Sequence, residues 1–414
     1  MKKKPFLIIL QIIVFMTSCN NAAIRFEESD FISSTDSIHI TVIPNRDPIE
    51  IERYIDSVYY VKLELTDESI IGQIDKLLIF ENKIYILDCQ TSSIFIFDMA
   101  GNYISKICKI GNGPGEYNKL HYFNIDEGKR HIVLTDLRTN WTMRYDLNGT
   151  FIYRKKLPIN TVEFAPLPNN KNVSFANFRD NARLLETEYN IIYWDSLMQI
   201  EKVFFPYYSK NFYNPWVQFA VNQGGAFYSN ENELHFTYSI KNEVYSVTTE
   251  GLALKYKFNF NDKNFNYDAI HRKNGLFEYL NKGKYWKIIK VCEAGAILAF
   301  SFTENTDGKI YKGFYSKHTG NIINSTLFHL NRMSFFNYPV SSHEDWIICE
   351  FPVDNLLSWK KFVEVLNDKF EESVTTLERD FFLGHQALID RKRLADSLIF
   401  DDNPVLMFFK LKPF

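Results

Sequence analysis

The sequence predicts an all-β chain: a six-bladed β-propeller of four-stranded antiparallel blades, with a short helical insertion in the last blade. Three observations predict it. First, KIYILDCQTSSIFIFDMAGNYI and HIVLTDLRTNWTMRYDLNGTFI are two copies of one pattern, with Asp88 and Asp136, Asp98 and Asp146, and Gly101 and Gly149 each 48 residues apart. A repeat of that length is one sheet that cannot bury both faces alone, so its copies must stack. Second, aromatic residues are 16% of the 414-residue chain, and flat side chains suit a pleated, half-buried surface. Third, two strand-like stretches near the ends, Val58 to Leu65 (VYYVKLEL) and Val405 to Lys412 (VLMFFKLK), belong to no complete copy. Both are accounted for if they share the last sheet and close a ring, which removes the exposed edge of an open array.

Residues 1–19 differ in kind from the rest. Lys2, Lys3 and Lys4 precede an apolar run from Phe6 to Met16, broken by Gln11, and then Thr17, Ser18 and Cys19. This reads as a secretory signal with a small-residue processing site. The run falls short of the roughly 20 apolar residues that a spanning helix needs. The placement of Cys19 resembles a bacterial lipobox, and that resemblance implies a lipid on Cys19 as the first residue of the mature chain. The alternative is an ordinary cleaved signal with an incidental cysteine. Loss of the three lysines takes the net charge from −3 to −6. Residues 20–48 are polar and irregular and are expected to be a flexible tether, leaving 49–414 as the propeller.

The first full unit is expected as strands Ile74 to Phe80, Ile84 to Asp88, Ile94 to Asp98 and Tyr103 to Lys109. At its third turn, Asp98 can hydrogen-bond the backbone two residues on, and Gly101 supplies a positive φ. The second unit repeats this over His121 to Asp126, His131 to Asp136, Trp141 to Asp146 and Thr150 to Leu157. Eroded copies follow around Tyr189 to Asp195, Val244 to Gly251 and Lys309 to Gly320. Ala226 to Ser229, Leu234 to Tyr238, Ile288 to Glu293 and Ala296 to Thr303 supply further strands. A sixth unit begins at Phe335 to Val340 and Trp346 to Phe351. It is interrupted over about 355–403, where Leu356, Leu357, Trp359, Phe362, Val363, Val365 and Leu366 recur at helical spacing; a second helix is expected in Leu388 to Leu398. The count is six, or seven if the boundaries in 160–285 fall elsewhere.

The IYILD…IFIFD-x-x-G pattern, the loop Gly111-Asn112-Gly113-Pro114-Gly115-Glu116-Tyr117 and the segment Asn403-Pro404-Val405-Leu406 together resemble the bacterial six-bladed β-propeller lipoproteins, relatives of NHL-repeat propellers. The resemblance covers about 50–414 and is strongest over 58–157. It implies the fold and a lipid-anchored place in the outer membrane, on its periplasmic or surface face, of a two-membrane bacterium. It implies no chemistry.

In such a ring, the loops joining strand two to strand three and those joining blade to blade open on one face. That puts Asp88 to Ser92, Gly111 to Tyr117 and Asp136 to Asn140 on one rim, where loops on a rigid scaffold carry function. Asp88, Glu116, Tyr117, Asp136 and Arg138 are the candidate ligand-binding residues, Glu116 as an acceptor and Tyr117 as a stacking platform. The competing reading is structural: Glu116 caps backbone N–H groups, and Asp88 and Asp136 bond amides within their loops. The rim predicts a non-enzymatic recognition module for a glycan, peptide or envelope protein. A metal-dependent lyase or hydrolase in the channel, or a structural subunit docking through the insertion, are the alternatives.

No cofactor and no metal site are expected. The nine histidines show no HxH or HExxH spacing, and no GxSxG elbow is present. Cys89, Cys108, Cys292 and Cys349 show no CxxC spacing. Cys89 and Cys108 could pair, or all four could be free. With no basic block, nucleic acid is not an expected partner. Trp141, Trp194, Tyr207, Tyr208, Tyr213 and Trp216 could stack on sugars or pack between blades; Phe204 to Trp216 is expected to be a loop.

Overall fold

The computed structural model describes residues 23–414 except 137, 210–225, 231–232, 273–284, 305–307, 331–332, 336–338, 352, 359, 362–390 and 392. The processing site and Cys19, Tyr213, Trp216 and most of the insertion lie outside the described residues.

After β1 (Ile38–Thr41), β2 (Ile49–Glu50) and β3 (Ile55–Lys62), the chain builds its blades in order. Blade 1 is β4 (Lys76–Phe80), β5 (Lys83–Asp88), β6 (Ser93–Asp98) and β7 (Tyr103–Ile107). Blade 2 is β8 (Leu120–Asp126), β9 (His131–Asp136), β10 (Trp141–Asp146) and β11 (Phe151–Lys156). Blade 3 is β12 (Glu163–Pro166), β13 (Asn172–Phe175), β14 (Glu188–Trp194) and β15 (Ile200–Tyr207). Blade 4 is β16 (Phe227–Asn230), β17 (Glu233–Tyr238), β18 (Glu243–Thr248) and β19 (Gly251–Asn259). Blade 5 is β20 (Trp286–Ala294), β21 (Ile297–Glu304), β22 (Ile310–Ser316) and β23 (Ile322–Ser325). A short sheet joins β2 to β24 (Phe328–Leu330) and β25 (Met333–Phe335). Blade 6 takes β26 (Pro339–His343), β27 (Trp346–Phe351) and β28 (Val405–Leu411), then β3 from the other end of the chain. Val405 pairs with Lys62 and Phe409 with Val58, antiparallel, so the ring closes as the unpaired end strands required.

Alternation along the strands explains the stacking. In blade 1, Tyr85 and Leu87 belong to the core shared with blade 2, while Ile84 and Ile86 belong to the core shared with blade 6. Corresponding apolar clusters fill the other blade–blade contacts. The middle strands are thus buried on both faces, and KIYILD reads as a nearly continuous apolar run.

Two expectations are corrected. Residues expected to be a tether form a belt around the ring. Ile24 bridges Leu185 beside blade 3, Ser29 N donates to Val203 O and Ile32 N to Leu252 O, and β1 lies parallel along the outer edge of β19. Ile40 and Val42 are 1% exposed; these alternating apolar positions, spaced by polar residues, cover an edge strand's free backbone groups. Phe204 to Tyr207, expected in a loop, end β15, with Phe204 and Phe205 in the core between blades 3 and 4. Helical residues are described at 353–358, 360–361, 391 and 393–396, at the two ends of the expected insertion.

The face carrying the strand two–three loops and the blade-to-blade connections is called upper here, and the opposite face lower.

Candidate channel site

The upper rim brings the sequence candidates to one face, but their carboxylates and phenol are occupied. Asp88 is fully buried. It accepts N–H groups from Gly72 (2.9 Å), Gln90 (2.8 Å) and Thr91 (3.2 Å). Asp136 accepts from Asn118 N (3.0 Å) and Arg138 N (2.9 Å). In both repeats, then, the aspartate ties its own loop to the connection arriving from the preceding blade. Burial alone would raise the Asp136 pKa, but the N–H bonds outweigh it and hold the carboxyl below its usual range. Tyr117 is fully buried, its hydroxyl donating to Ser92 O (2.9 Å) and Ile107 O (3.2 Å). It offers no stacking face, because the ring fills the core between blades 1 and 2. Glu116 is exposed yet curls back onto Gly113 N at 2.7 Å. A Cβ on Gly111 would lie 2.1 Å from Glu116 Oε2, so glycine there makes room for that cap. Of the five candidates, Arg138 alone presents an exposed side chain with no described partner.

The other residues flagged in the sequence are also placed. Cys89, Cys108, Cys292 and Cys349 are free thiols. Burial, reinforced by Asp75 for Cys89, pushes Cys89 and Cys292 up to about 12, where thiols are unreactive. Trp194 is buried and donates to Ser174 Oγ at 2.9 Å; Trp141 lies under the Arg154 guanidinium, 4.5 Å away.

The larger feature is the channel. A cavity of about 740 Å³ opens between the innermost strands, and every blade contributes: Lys76, Tyr122, Glu163, Phe227, Lys290 and Ser341. Lys76 Nζ sits 3.7 Å from the centroid of the Tyr122 ring, a cation over an aromatic face. Glu163 is 7% exposed and accepts Ala226 N (2.7 Å) and Phe227 N (2.9 Å), fastening blade 3 to the start of blade 4. Burial raises its pKa against the pull of Lys76 and those N–H groups.

Among the described residues, neither Lys76 nor Lys290 has a carboxylate within ion-pair distance. Both are largely buried and line the lumen. That enclosure draws Lys76 down to about 7, with the Glu163 charge opposing and Lys290 assisting. Lys290 is lowered by burial as well. His121, exposed at the cavity's edge, also lines it, and partial desolvation is the first cause lowering its pKa. Among the described residues, no three His, Cys, Asp or Glu side chains converge as metal ligands.

Sequence reasoning passed over both lysines. A signal was available: Lys76 opens and Lys290 interrupts an otherwise largely apolar innermost strand, in IDKLLIF and KIIKVCE. Only the ring shows that the interrupted face lines a channel.

A second polar cluster lies between blades 4 and 5. His235 is fully buried, with Nε2 3.4 Å from Glu233 and 3.9 Å from Glu293. Lys255 (3.1 Å), Lys317 (2.7 Å) and the Tyr256 hydroxyl (2.9 Å) surround Glu293. These contacts make it a structural node.

The model of one protein family, the domain of unknown function DUF4934, matches residues 35–410. The chain belongs to the DUF4934 family. No curated protein matches this DUF4934 chain. A solved structure from Bacteroides fragilis, named "Putative exported protein", is 19% identical. The likeness covers 91% of this chain and 100% of that one, with a TM-score of 0.68. A member of the DUF4221 family from Bacteroides vulgatus is 9% identical over 86% of this chain and 97% of its own, TM-score 0.45. Virginiamycin B lyase from Staphylococcus aureus is 13% identical over 71% and 81%, TM-score 0.36. At 19% identity, the first likeness is one of fold.

Proposed function

We propose that this DUF4934 protein is a lipid-anchored cell-envelope binding module that holds an anionic glycan or peptide in its channel. One observation carries the proposal: Lys76 and Lys290 face a shared lumen with no carboxylate within ion-pair distance among the described residues. Enclosing a positive charge without an ion-pair partner costs free energy that an incoming anion offsets. Tyr122 beside Lys76 adds an aromatic surface next to the charge, an arrangement suited to an acidic sugar or a peptide carboxylate. This moves the ligand from the rim, where the carboxylates are occupied, to the channel. Residues 1–19 support the envelope address and the anchor on Cys19, and the name of the Bacteroides fragilis neighbour agrees with export.

Calorimetric titration of oligogalacturonate, a glutamate-rich peptide and a neutral maltooligosaccharide tests the proposal. The acidic probes should bind, more weakly as salt rises. Lys76→Met and Lys290→Met should each reduce affinity about tenfold or more. Failure of every acidic probe to bind, or binding indifferent to both substitutions, would sink the proposal.

A further inference from the structure

We propose that the upper face of the ring lies against the lipid bilayer, with Ile70, Ile110, Tyr208, Ile399 and Phe400 as its apolar contacts. The inference rests on the anchored reading above and adds an orientation to it.

The belt supplies the first argument. Its first described contact, Ile24 with Leu185, is in the strand two–three loop of blade 3, on the upper face. Cys19 precedes Ile24 by five residues, a reach of at most about 18 Å. A blade of six-residue strands is about 20 Å tall. A lipid on Cys19 therefore starts within about 18 Å of the upper face, less than the roughly 20 Å that separates the two faces.

The second argument is independent of the anchor. Ile70 (59% exposed) lies in the connection from blade 6 to blade 1, and Ile110 (61%) in the one from blade 1 to blade 2. Tyr208 (54%) follows β15 directly, and Ile399 (62%) and Phe400 (73%) precede β28. All five are on the upper face. Among the described residues, the lower side carries Leu197 (74%) in a turn and, at the lower ends of β7 and β11, the less exposed Ile104, Ile152 and Tyr153 (41–43%). Exposed Lys109, Lys119 and Arg138, together with exposed Asp67, Glu68, Glu116 and Asp401, stand among the upper apolar tips, so the face would rest at the interface rather than insert. A separate cavity of about 670 Å³ between the lower turns of blades 2, 3 and 4 is then left toward water.

The native thiol Cys108, exposed at the upper end of β7, provides the test. The full acylated chain is reconstituted into phosphatidylethanolamine–phosphatidylglycerol vesicles containing doxyl-labelled lipid, with a nitrobenzoxadiazole label on Cys108. A second preparation carries the label on Leu197→Cys in a Cys108→Ser background. The upper label should be quenched several-fold more than the lower, and Ile399→Ser with Phe400→Ser should reduce the difference. Intact mass separates the two readings. An unacylated Cys19 removes the anchor and this inference together. An acylated chain whose two labels quench equally, or whose lower label quenches more, overturns the orientation alone and leaves the upper face for a protein partner.

Discussion

Phe408 stacks on Tyr59 with ring centroids 4.6 Å apart and planes 11° from parallel, although one comes from the last strand of the chain and the other from β3. They are direct register partners across the seam that closes the ring. Phe408→Ala should cost roughly 3–5 kcal/mol. It should also shift the protein toward self-association, because a loosened seam exposes strand edges. Denaturant unfolding and size-exclusion chromatography measure the two effects.

Gly101 and Gly149 hold the same place in the repeat, at φ +90° and +89°. Their surroundings differ. A Cβ at Gly149 would meet the Ile107 side chain at 3.0 Å, whereas at Gly101 it would lie 2.2 Å from the Lys62 carbonyl oxygen, on the closing strand. Gly149→Ala should cost about 1–2 kcal/mol for the left-handed backbone alone. Gly101→Ala should add about 1–3 kcal/mol of overpacking. Equal losses in thermal unfolding would contradict the seam contact.

Tyr117→Phe separates structure from recognition at the rim. The variant loses the hydroxyl bonds to Ser92 and Ile107 and leaves Lys109 N without its acceptor. A loss of about 1–3 kcal/mol is expected, with affinity for acidic oligosaccharide unchanged. Weakened binding in a folded Tyr117→Phe protein would return the rim to the binding site.

His235 makes stability pH-dependent. Burial first, and Lys255 second, draw it from 6.5 to about 4, against Glu293 and Glu233. The unfolded chain therefore takes up this proton before the folded one does. Its contribution is complete above pH 6.5 and is lost as pH falls toward 4, amounting to at most about 3 kcal/mol. His235→Gln should flatten the stability profile in that window, as followed by urea unfolding across pH.

Lys76 should stand out chemically. With its pKa drawn to about 7, the amine is largely neutral at about pH 8, where ordinary lysines remain charged. Acetylation by a small activated ester, read by peptide mass spectrometry, should reach Lys76 ahead of half-exposed Lys257, which pairs with Glu243 at 3.0 Å. A bound acidic ligand should slow it by favouring the ammonium. Modification of Lys76 last, or unaffected by ligand, would count against a lumen-facing amine.

The repeat of 48 residues, the strand alternation and the two unpaired end strands were sufficient for the class of fold and the closure; they allowed six blades or seven, and the strand pairing in 160–285 decided for six. Each is a local pattern whose physical meaning, burying both faces of a sheet and covering its edges, does not depend on distant detail. The rim was also legible: Asp88 and Asp136 are on one face, as loop order requires. Their roles were less so. Whether a carboxylate faces a ligand or a backbone amide depends on which connection passes beside it, and Gly72 and Asn118 are not adjacent to them in sequence.

By itself, then, the sequence determined the class of fold, the seam and the face on which the loops gather, because periodicity and unmatched strands encode them directly. Tertiary structure alone decided that residues 23–50 wrap the ring, that Tyr117 is core, and that Lys76 and Lys290, 214 residues apart, look into one cavity. Those facts come from contacts between blades. A side chain's neighbours across a blade interface or a channel come from other turns of the ring, and no short-range pattern in the chain records them.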